Sequence, residues 1–159
     1  HYFNRTIIFP FRIRTKGKLM PLTVVFSALL FNGVNGFING YFIGYLYDPD
    51  IVQAYFDPNI IIGIVVFFIG MFINMKADGK IIRLRRQSTG YQIPRGWLFE
   101  YVSCPNHLGE IIEWIGYAVL AWNLPALSFA VWTFANLIPR TLNQHQWYAE
   151  HFENYPNNR

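Results

Sequence analysis

The chain has one cysteine, few charges and, between Lys18 and Lys76, no basic residue at all. A lone Cys104 excludes a disulfide framework or a cysteine-based zinc site within the chain, and it leaves the redox compartment unread. Charged residues make up 14% of the chain, against about 25% in soluble domains, while 53% is hydrophobic and 19% aromatic. That balance excludes an ordinary soluble domain. There is no GxGxxG and no GxxxxGK(S/T), so any nucleotide must be held outside the usual soluble phosphate-binding folds. No Ser-His-Asp or Cys-His arrangement stands out. His145, Glu150 and His151 lack a recognised ligand spacing, and no metal is expected. Internal repeats and low-complexity tracts are absent. Starting at His1, with no methionine, charged n-region or cleavage site, the sequence reads as an internal fragment of one-domain size.

What is present is a set of long apolar blocks, about Leu22 to Leu46, Ile60 to Ile73, Leu108 to Trp122 and Leu124 to Ile138. A crossing helix needs roughly 20 apolar residues. The first block has that length, and the second reaches it if the helix starts near Asp57 and continues through Asn74. The last two are short and separated only at Asn123-Leu124-Pro125, which reads as a tight hairpin with proline opening the second helix. A partly re-entrant geometry is an alternative for this pair.

Charge placement agrees, because cytoplasmic loops carry the lysines and arginines. Of the 13 basic residues, Arg5, Arg12, Arg14, Lys16 and Lys18 precede the first block. Lys76, Lys80, Arg83, Arg85, Arg86 and Arg95 lie between the second and third, and Arg140 and Arg159 follow the fourth. The loop from Tyr47 to Asn59 has Asp48, Asp50 and Asp57 and no base. The expected fold is therefore all-α: a polytopic helix bundle with four membrane spans and its basic loops on the cytoplasmic side. An endoplasmic reticulum membrane and a bacterial inner membrane suit this orientation equally.

Polar residues inside such blocks are costly and need a reason. Glu110 and Glu113 stand three apart, so they make a polar stripe at the start of the third block. Such a stripe either reaches interfacial water or serves a site. In the first block Gly36 and Gly40 would let a helix approach closely, and the amides of Asn35 and Asn39 share a face and require a partner.

Beyond the second block the helical pattern continues through Arg86, placing Asn74, Asp78 and Arg85 on one face. An amide, an acid and an arginine suit a ligand with hydroxyls and phosphates. A basic cluster attracted to anionic lipid headgroups is the alternative. The loop from Gln87 to Asn106, rich in turn formers and aromatics, is long enough to be functional. After the fourth block, residues 140–156 alternate polar and aromatic residues at helical spacing, with His145 and Tyr148 on one face.

These residues resemble the steroid 5-alpha-reductase family of membrane enzymes. The resemblance covers essentially all 159 residues. It is carried by His1-Tyr2-Phe3-Asn4-Arg5-Thr6, Asn35-Gly36 with Gly40-Tyr41, Ile73-Asn74 with Asp78, and Gly90-Tyr91 with Ile93-Pro94-Arg95-Gly96. Leu98-Phe99-Glu100-Tyr101-Val102, Asn106 with Gly109-Glu110-Ile111-Ile112-Glu113-Trp114, Arg140, Trp147-Tyr148, Phe152-Glu153 and Tyr155-Pro156 complete it. The resemblance implies NADPH-dependent reduction of the 4,5 double bond of 3-oxo-4-ene steroids. It places Asn74, Asp78, Arg85, Tyr91, Asn106, Glu110, Arg140, His145 and Tyr148 at the NADPH, beneath cytoplasmic loops, and Tyr2 as the donor to the steroid 3-oxo group. From the sequence alone Tyr2 would read as an interfacial aromatic anchor. Glu113 is expected to brace neighbouring helices or loop backbone.

In this picture the chain is the C-terminal membrane-embedded catalytic region of a longer protein. The family's N-terminal helices, one bearing a glutamate that works with the tyrosine, are not in it, and Gln144 stands where relatives often have histidine. Expected partners are a steroid or other lipophilic enone and membrane lipid, with neither nucleic acid nor an obligate protein partner. Rival readings are a related polyprenol or enoyl-CoA reductase, a membrane methyltransferase and a lipid-binding scaffold.

Overall fold

The computed structural model of the chain describes residues 1–13, 21–46, 57–87, 90–156 and 159, and it is all-helical there, without strands. A π-helical turn, Asn4–Ile8, leads into the short helix α1, Phe9–Arg12. Helix α2, Leu22–Tyr41, continues as a second π-helical turn, Phe42–Leu46. Helix α3 is Pro58–Gln87, a 3-10 turn spans Trp97–Glu100, and helices α4, Pro105–Ala121, and α5, Leu124–His151, complete the chain. Residues 47–56 of the acidic loop, with Asp48 and Asp50, and the basic residues Arg14, Lys16 and Lys18 lie outside the described residues.

Among the described residues, two helices are long and apolar enough to cross a membrane: Leu22–Leu46, 25 residues of mean hydropathy 1.4, and Pro58–Gln87, 30 residues of mean hydropathy 2.3. No residue of α2 is buried, leaving its apolar surface to a nonpolar medium or to further helices. Helix α3 starts at Pro58, where proline costs no helical hydrogen bond, and passes unbroken from the apolar block into the Asn74 to Arg86 segment. The hairpin expected after the third block is present. Trp122 takes a left-handed conformation with φ 45°, Asn123 caps α5 by accepting from the Ala126 N–H at 2.8 Å, and Pro125 lies in the first turn. Helix α5 then runs through Pro139 and past Ile138 to His151.

The tightest packing joins α3 to α4. A β-carbon on Gly70 would strike the backbone of Glu113, one on Gly109 that of Asn74, one on Gly116 that of Phe67 and one on Gly63 that of Leu120. Rising numbers on α3 meet falling numbers on α4, so the two helices are antiparallel with their backbones touching. On each helix the two glycines are seven residues apart, two turns, and so they fall on a single seam.

The glycines singled out from sequence do not make this contact: a β-carbon on Gly36 or Gly40 meets nothing within 4 Å among the described residues. Helix α2 packs instead through side chains. Phe31 stacks on Phe129 and Trp132, with ring centroids 5.8 and 5.1 Å apart, and Tyr117 donates to Asn39 Oδ1 at 3.1 Å. Asn39 in turn donates to Asn35 Oδ1 at 3.0 Å, so both amides of that face are partnered. Trp114 is the hub of the core, edge-to-face on Phe129 at 4.5 Å and against Phe67 at 6.3 Å.

Because Gly70 and Gly109 meet backbone rather than flexible side chains, no rotamer change can make room there. We expect Gly70→Ala and Gly109→Ala to cost about 1–3 kcal/mol or more through overpacking, read as a lowered melting temperature in detergent. Gly36→Ala should leave stability unchanged or slightly raised, and equal effects at all three sites would contradict the seam.

Candidate functional site

The glycine seam sets the geometry of a polar cluster at the open end of the α3–α4 pair. With Gly109 against Asn74, the Asn74 side chain donates to the Asn106 carbonyl at 2.9 Å, and the Asn106 side chain is near enough to Asp78 to act on its carboxylate. Asn74 and Asp78 are buried, at 2% and 5% exposure. Glu110 stands one turn beyond Asn106 on the same face.

The side chains facing these acids come from the start of the chain. Arg5 donates through Nη1 to Asp78 Oδ2 at 2.8 Å and through Nη2 to Glu110 Oε2 at 2.9 Å, with Asn74 Oδ1 at 3.5 Å from Nη2. His1 Nδ1 lies 2.9 Å from Glu113 Oε2, and its Nε2 lies 3.8 Å from Glu110 Oε1. Glu113 is fully buried and, through His1, braces this N-terminal helical segment. Tyr2, between the two anchors, is 45% exposed, its ring 5.8 Å from Trp114 and 5.4 Å from His1. Burial first, and then the charges of Glu110 and Glu113, push its phenol above the ordinary value of 10.0.

A second cluster lies further along α3. Arg85 is over the face of Tyr91 at 5.9 Å, and Tyr91 packs on Trp147 at 4.9 Å. Tyr148 is buried and stacks on Tyr155 at 5.5 Å, and burial pushes its phenol up to about 12. Ser103 Oγ lies 2.8 Å from His145 Nδ1 and 2.6 Å from the Tyr155 hydroxyl, joining the loop before α4, helix α5 and the segment after it. Cys104 beside it is buried and its thiol is pushed up to about 11, far from the reactive thiolate range.

The loop itself is tied down. Gly96, with φ 81°, donates its N–H to the Glu100 carboxylate, and Arg159 reaches the Pro94 carbonyl at 3.1 Å and Glu100 at 3.4 Å. Lys76 sits over Trp97 at 4.5 Å, and Lys80 points to the Gly96 carbonyl at 3.5 Å. These two lysines therefore hold the loop, whereas Arg83, Arg85 and Arg86 remain exposed.

Of the residues expected from sequence, Asn74, Asp78, Asn106 and Glu110 share one cluster, and Arg85, Tyr91 and Tyr148 surround the other. His145 is directed into the Ser103–Tyr155 network. Arg140 is exposed, near enough to His107 to act on it electrostatically. Asp78 and Arg85 are seven residues apart on α3, so the clusters are separated by about 10 Å. Amide and carboxylate groups therefore stand at one end, with an arginine and packed aromatics at the other. Arg5, His1, Ser103 and Tyr155 had no assigned role from sequence. The one available signal was the unpaired acidic stripe, which demanded a cation without naming it.

The sequence model of the family described as 3-oxo-5-alpha-steroid 4-dehydrogenase matches residues 18–159. The chain belongs to this family. Among curated relatives in the family, the chain is 44% identical over 164 residues to "Steroid 5-alpha-reductase DET2" of Solanum lycopersicum, covering all of the chain and 63% of that protein. It is 42% identical over 159 residues to "3-oxo-5-alpha-steroid 4-dehydrogenase 1" of Bos taurus, covering 98% of the chain and 60% of that protein. The Homo sapiens protein of the same description is 41% identical over the same length, with the same coverage. The chain thus spans about 60–63% of the relatives it matches.

The Ser103–His145–Tyr155 network couples three separate segments, so its parts should not contribute independently. Ser103→Ala and Tyr155→Phe should each lower stability by about 1 kcal/mol. In detergent denaturation the double variant should lose measurably less than the sum; strict additivity would show that the hydroxyls do not act together.

Proposed function

We propose that the chain carries the NADPH cavity and the carbonyl-binding tyrosine of a membrane steroid 5-alpha-reductase, reducing the 4,5 double bond of 3-oxo-4-ene steroids. The observation that carries this reading is Arg5, in the segment that bears Tyr2, bridging Asp78 and Glu110 beside Asn74 and Asn106, in a chain of this family. The chain is read as the membrane-embedded, C-terminal part of the whole protein. Helices α4 and α5 lie in the bilayer with α2 and α3, making four spans, and the basic segments face the cytoplasm.

NADPH, when bound, would supply hydride to the β-carbon of the enone, and a proton taken from water at the α-carbon would convert the resulting enolate to the saturated ketone. The residues of the chain do the rest. Glu110, Asp78 and the amides of Asn74 and Asn106 hold the hydroxyl and amide groups at one end of the cofactor. Arg85 pairs with phosphate oxygens, Tyr91 and Tyr148 flank it, and Arg140 and His145 complete the cytoplasmic rim. As electrons move onto the steroid carbonyl oxygen, Tyr2 donates a hydrogen bond to the developing enolate. Its raised phenol keeps that proton at neutral pH. The apolar surroundings exclude water and admit a lipophilic substrate from the bilayer.

The full-length membrane protein is expected to oxidise NADPH only when a 3-oxo-4-ene steroid is supplied, giving the 5-alpha product. Turnover of a polyprenol or enoyl-CoA in its place, or methyl transfer, would refute the reading. Glu110→Gln should weaken NADPH binding by roughly tenfold, the loss of about 1.4 kcal/mol expected for a hydrogen bond to a charged group, with the protein still folded. Unchanged affinity would return Glu110 to structure.

Tyr2→Phe should lower kcat by about 100-fold with NADPH binding retained, the scale of removing one oxyanion donor. A donor that must stay protonated, with its phenol raised above 10.0, loses function only on the alkaline side of that value. The alkaline decline in wild-type kcat should therefore lie there and be missing from the residual activity of Tyr2→Phe. A decline that survives the substitution would assign it to another group.

A further inference from the structure

Arg5 touches three residues assigned above to the cofactor while belonging to the segment that carries Tyr2. Its two terminal nitrogens divide between carboxylates on different helices, Asp78 of α3 at 2.8 Å and Glu110 of α4 at 2.9 Å, and Asn74 Oδ1 lies 3.5 Å away. The same segment is helical back to the start: the Arg5 N–H donates to the His1 carbonyl at 3.1 Å, and Thr6 Oγ1 to the Tyr2 carbonyl at 2.6 Å. Tyr2 therefore sits one turn before Arg5 on the same helical stretch. At its other end His1 bonds Glu113, one turn after Glu110.

We propose that Arg5 is a positioning residue that sets Tyr2 in register with the cofactor site by bridging Asp78 and Glu110. This rests on the steroid reductase reading given above. A planar fork suits the task, because its two arms fix direction as well as distance, whereas a lysine presents one compact ammonium. Arg5 also neutralises acids that would otherwise repel the phosphates of a dinucleotide. When cofactor hydroxyl and amide groups settle on Asp78 and Glu110, the orientation of those carboxylates is transmitted through the fork to the turn holding Tyr2. The hydrogen bond to the substrate carbonyl is then aimed by the occupied cofactor site. Arg5 touches neither the reacting carbons nor the carbonyl in this scheme and acts through Tyr2.

The test is a double-mutant cycle in the full-length membrane protein, measuring NADPH affinity by nicotinamide fluorescence and hydride transfer in single turnovers with a 3-oxo-4-ene steroid. Arg5→Lys should slow hydride transfer at least tenfold, with NADPH affinity changed less than threefold. The same substitution in the Tyr2→Phe background should cost less than twofold. Arg5→Ala should be rescued by added guanidinium ion but not by methylammonium, a readout that loss of fold would not give. Equal factors in both backgrounds, or a loss confined to NADPH affinity, would overturn the inference while leaving the reductase reading intact. Failure of both variants to fold together with absence of guanidinium rescue would also overturn it, because the fork would then be a structural strut. A wild-type protein that does not bind NADPH would overturn the underlying reading and the inference with it.

Discussion

Backbone contact between α3 and α4 governs the placement of the polar residues. The seam of Gly63, Gly70, Gly109 and Gly116 brings the helices close enough for the Asn74 side chain to reach the Asn106 carbonyl, with Asp78 one turn further along α3. Larger residues on the seam would separate the helices and open this bond. In a nonpolar medium the seam is also a natural means of association: van der Waals contact between close backbones replaces the hydrophobic drive available in water. Packing and site are thus consequences of one feature. Gly109 and Glu110 are consecutive, the first admitting α3 and the second projecting into the cluster beside it.

The second requirement is electrostatic. Asp78, Glu110 and Glu113 are carboxylates crowded at the end of two apolar helices, where an unpaired charge is costly. Arg5 and His1 meet them from a segment before α2, so the N-terminal turn is held by the acids and the acids are held by it. Trp114 completes the arrangement from the apolar side, packing on Phe129 below and on His1 and Tyr2 above. One tryptophan thereby links the bundle core to the tyrosine proposed to meet the substrate.

Much of this was legible in the sequence because it is local. The long continuation of α3, the hairpin at Asn123 and the shared face of Asn74, Asp78 and Arg85 follow from helical periodicity and capping, which read a few residues at a time. The partner demanded by Asn35 and Asn39 was foreseen as a need and found in Tyr117. Pairings over long separations were not legible. Arg5 lies 105 residues from Glu110, and His1 lies 112 from Glu113, and no spacing rule encodes such a meeting. The packing glycines were sought at Gly36 and Gly40, where the four-residue motif stands, whereas the seven-residue pairs on α3 and α4 form the seam, because two helices must both present small residues for either to matter. His145 shared a face with Tyr148 as expected, yet its Nδ1 is occupied by Ser103, a residue that periodicity in α5 could not bring into view.

The proposed function reduces to a narrow claim: that the α3–α4 polar cluster is one end of a cofactor site, with Tyr2 carried by the segment that Arg5 holds against it. The most direct measurement is the structure of the full-length protein in lipid with NADP(H) and a 3-oxo-4-ene steroid bound. The account predicts the dinucleotide lying along α3 from the Asn74, Asp78 and Glu110 cluster to Arg85 and Tyr91, with the steroid carbonyl within hydrogen-bond distance of the Tyr2 hydroxyl. A dinucleotide bound away from that cluster, or a steroid whose carbonyl meets another donor, would contradict it.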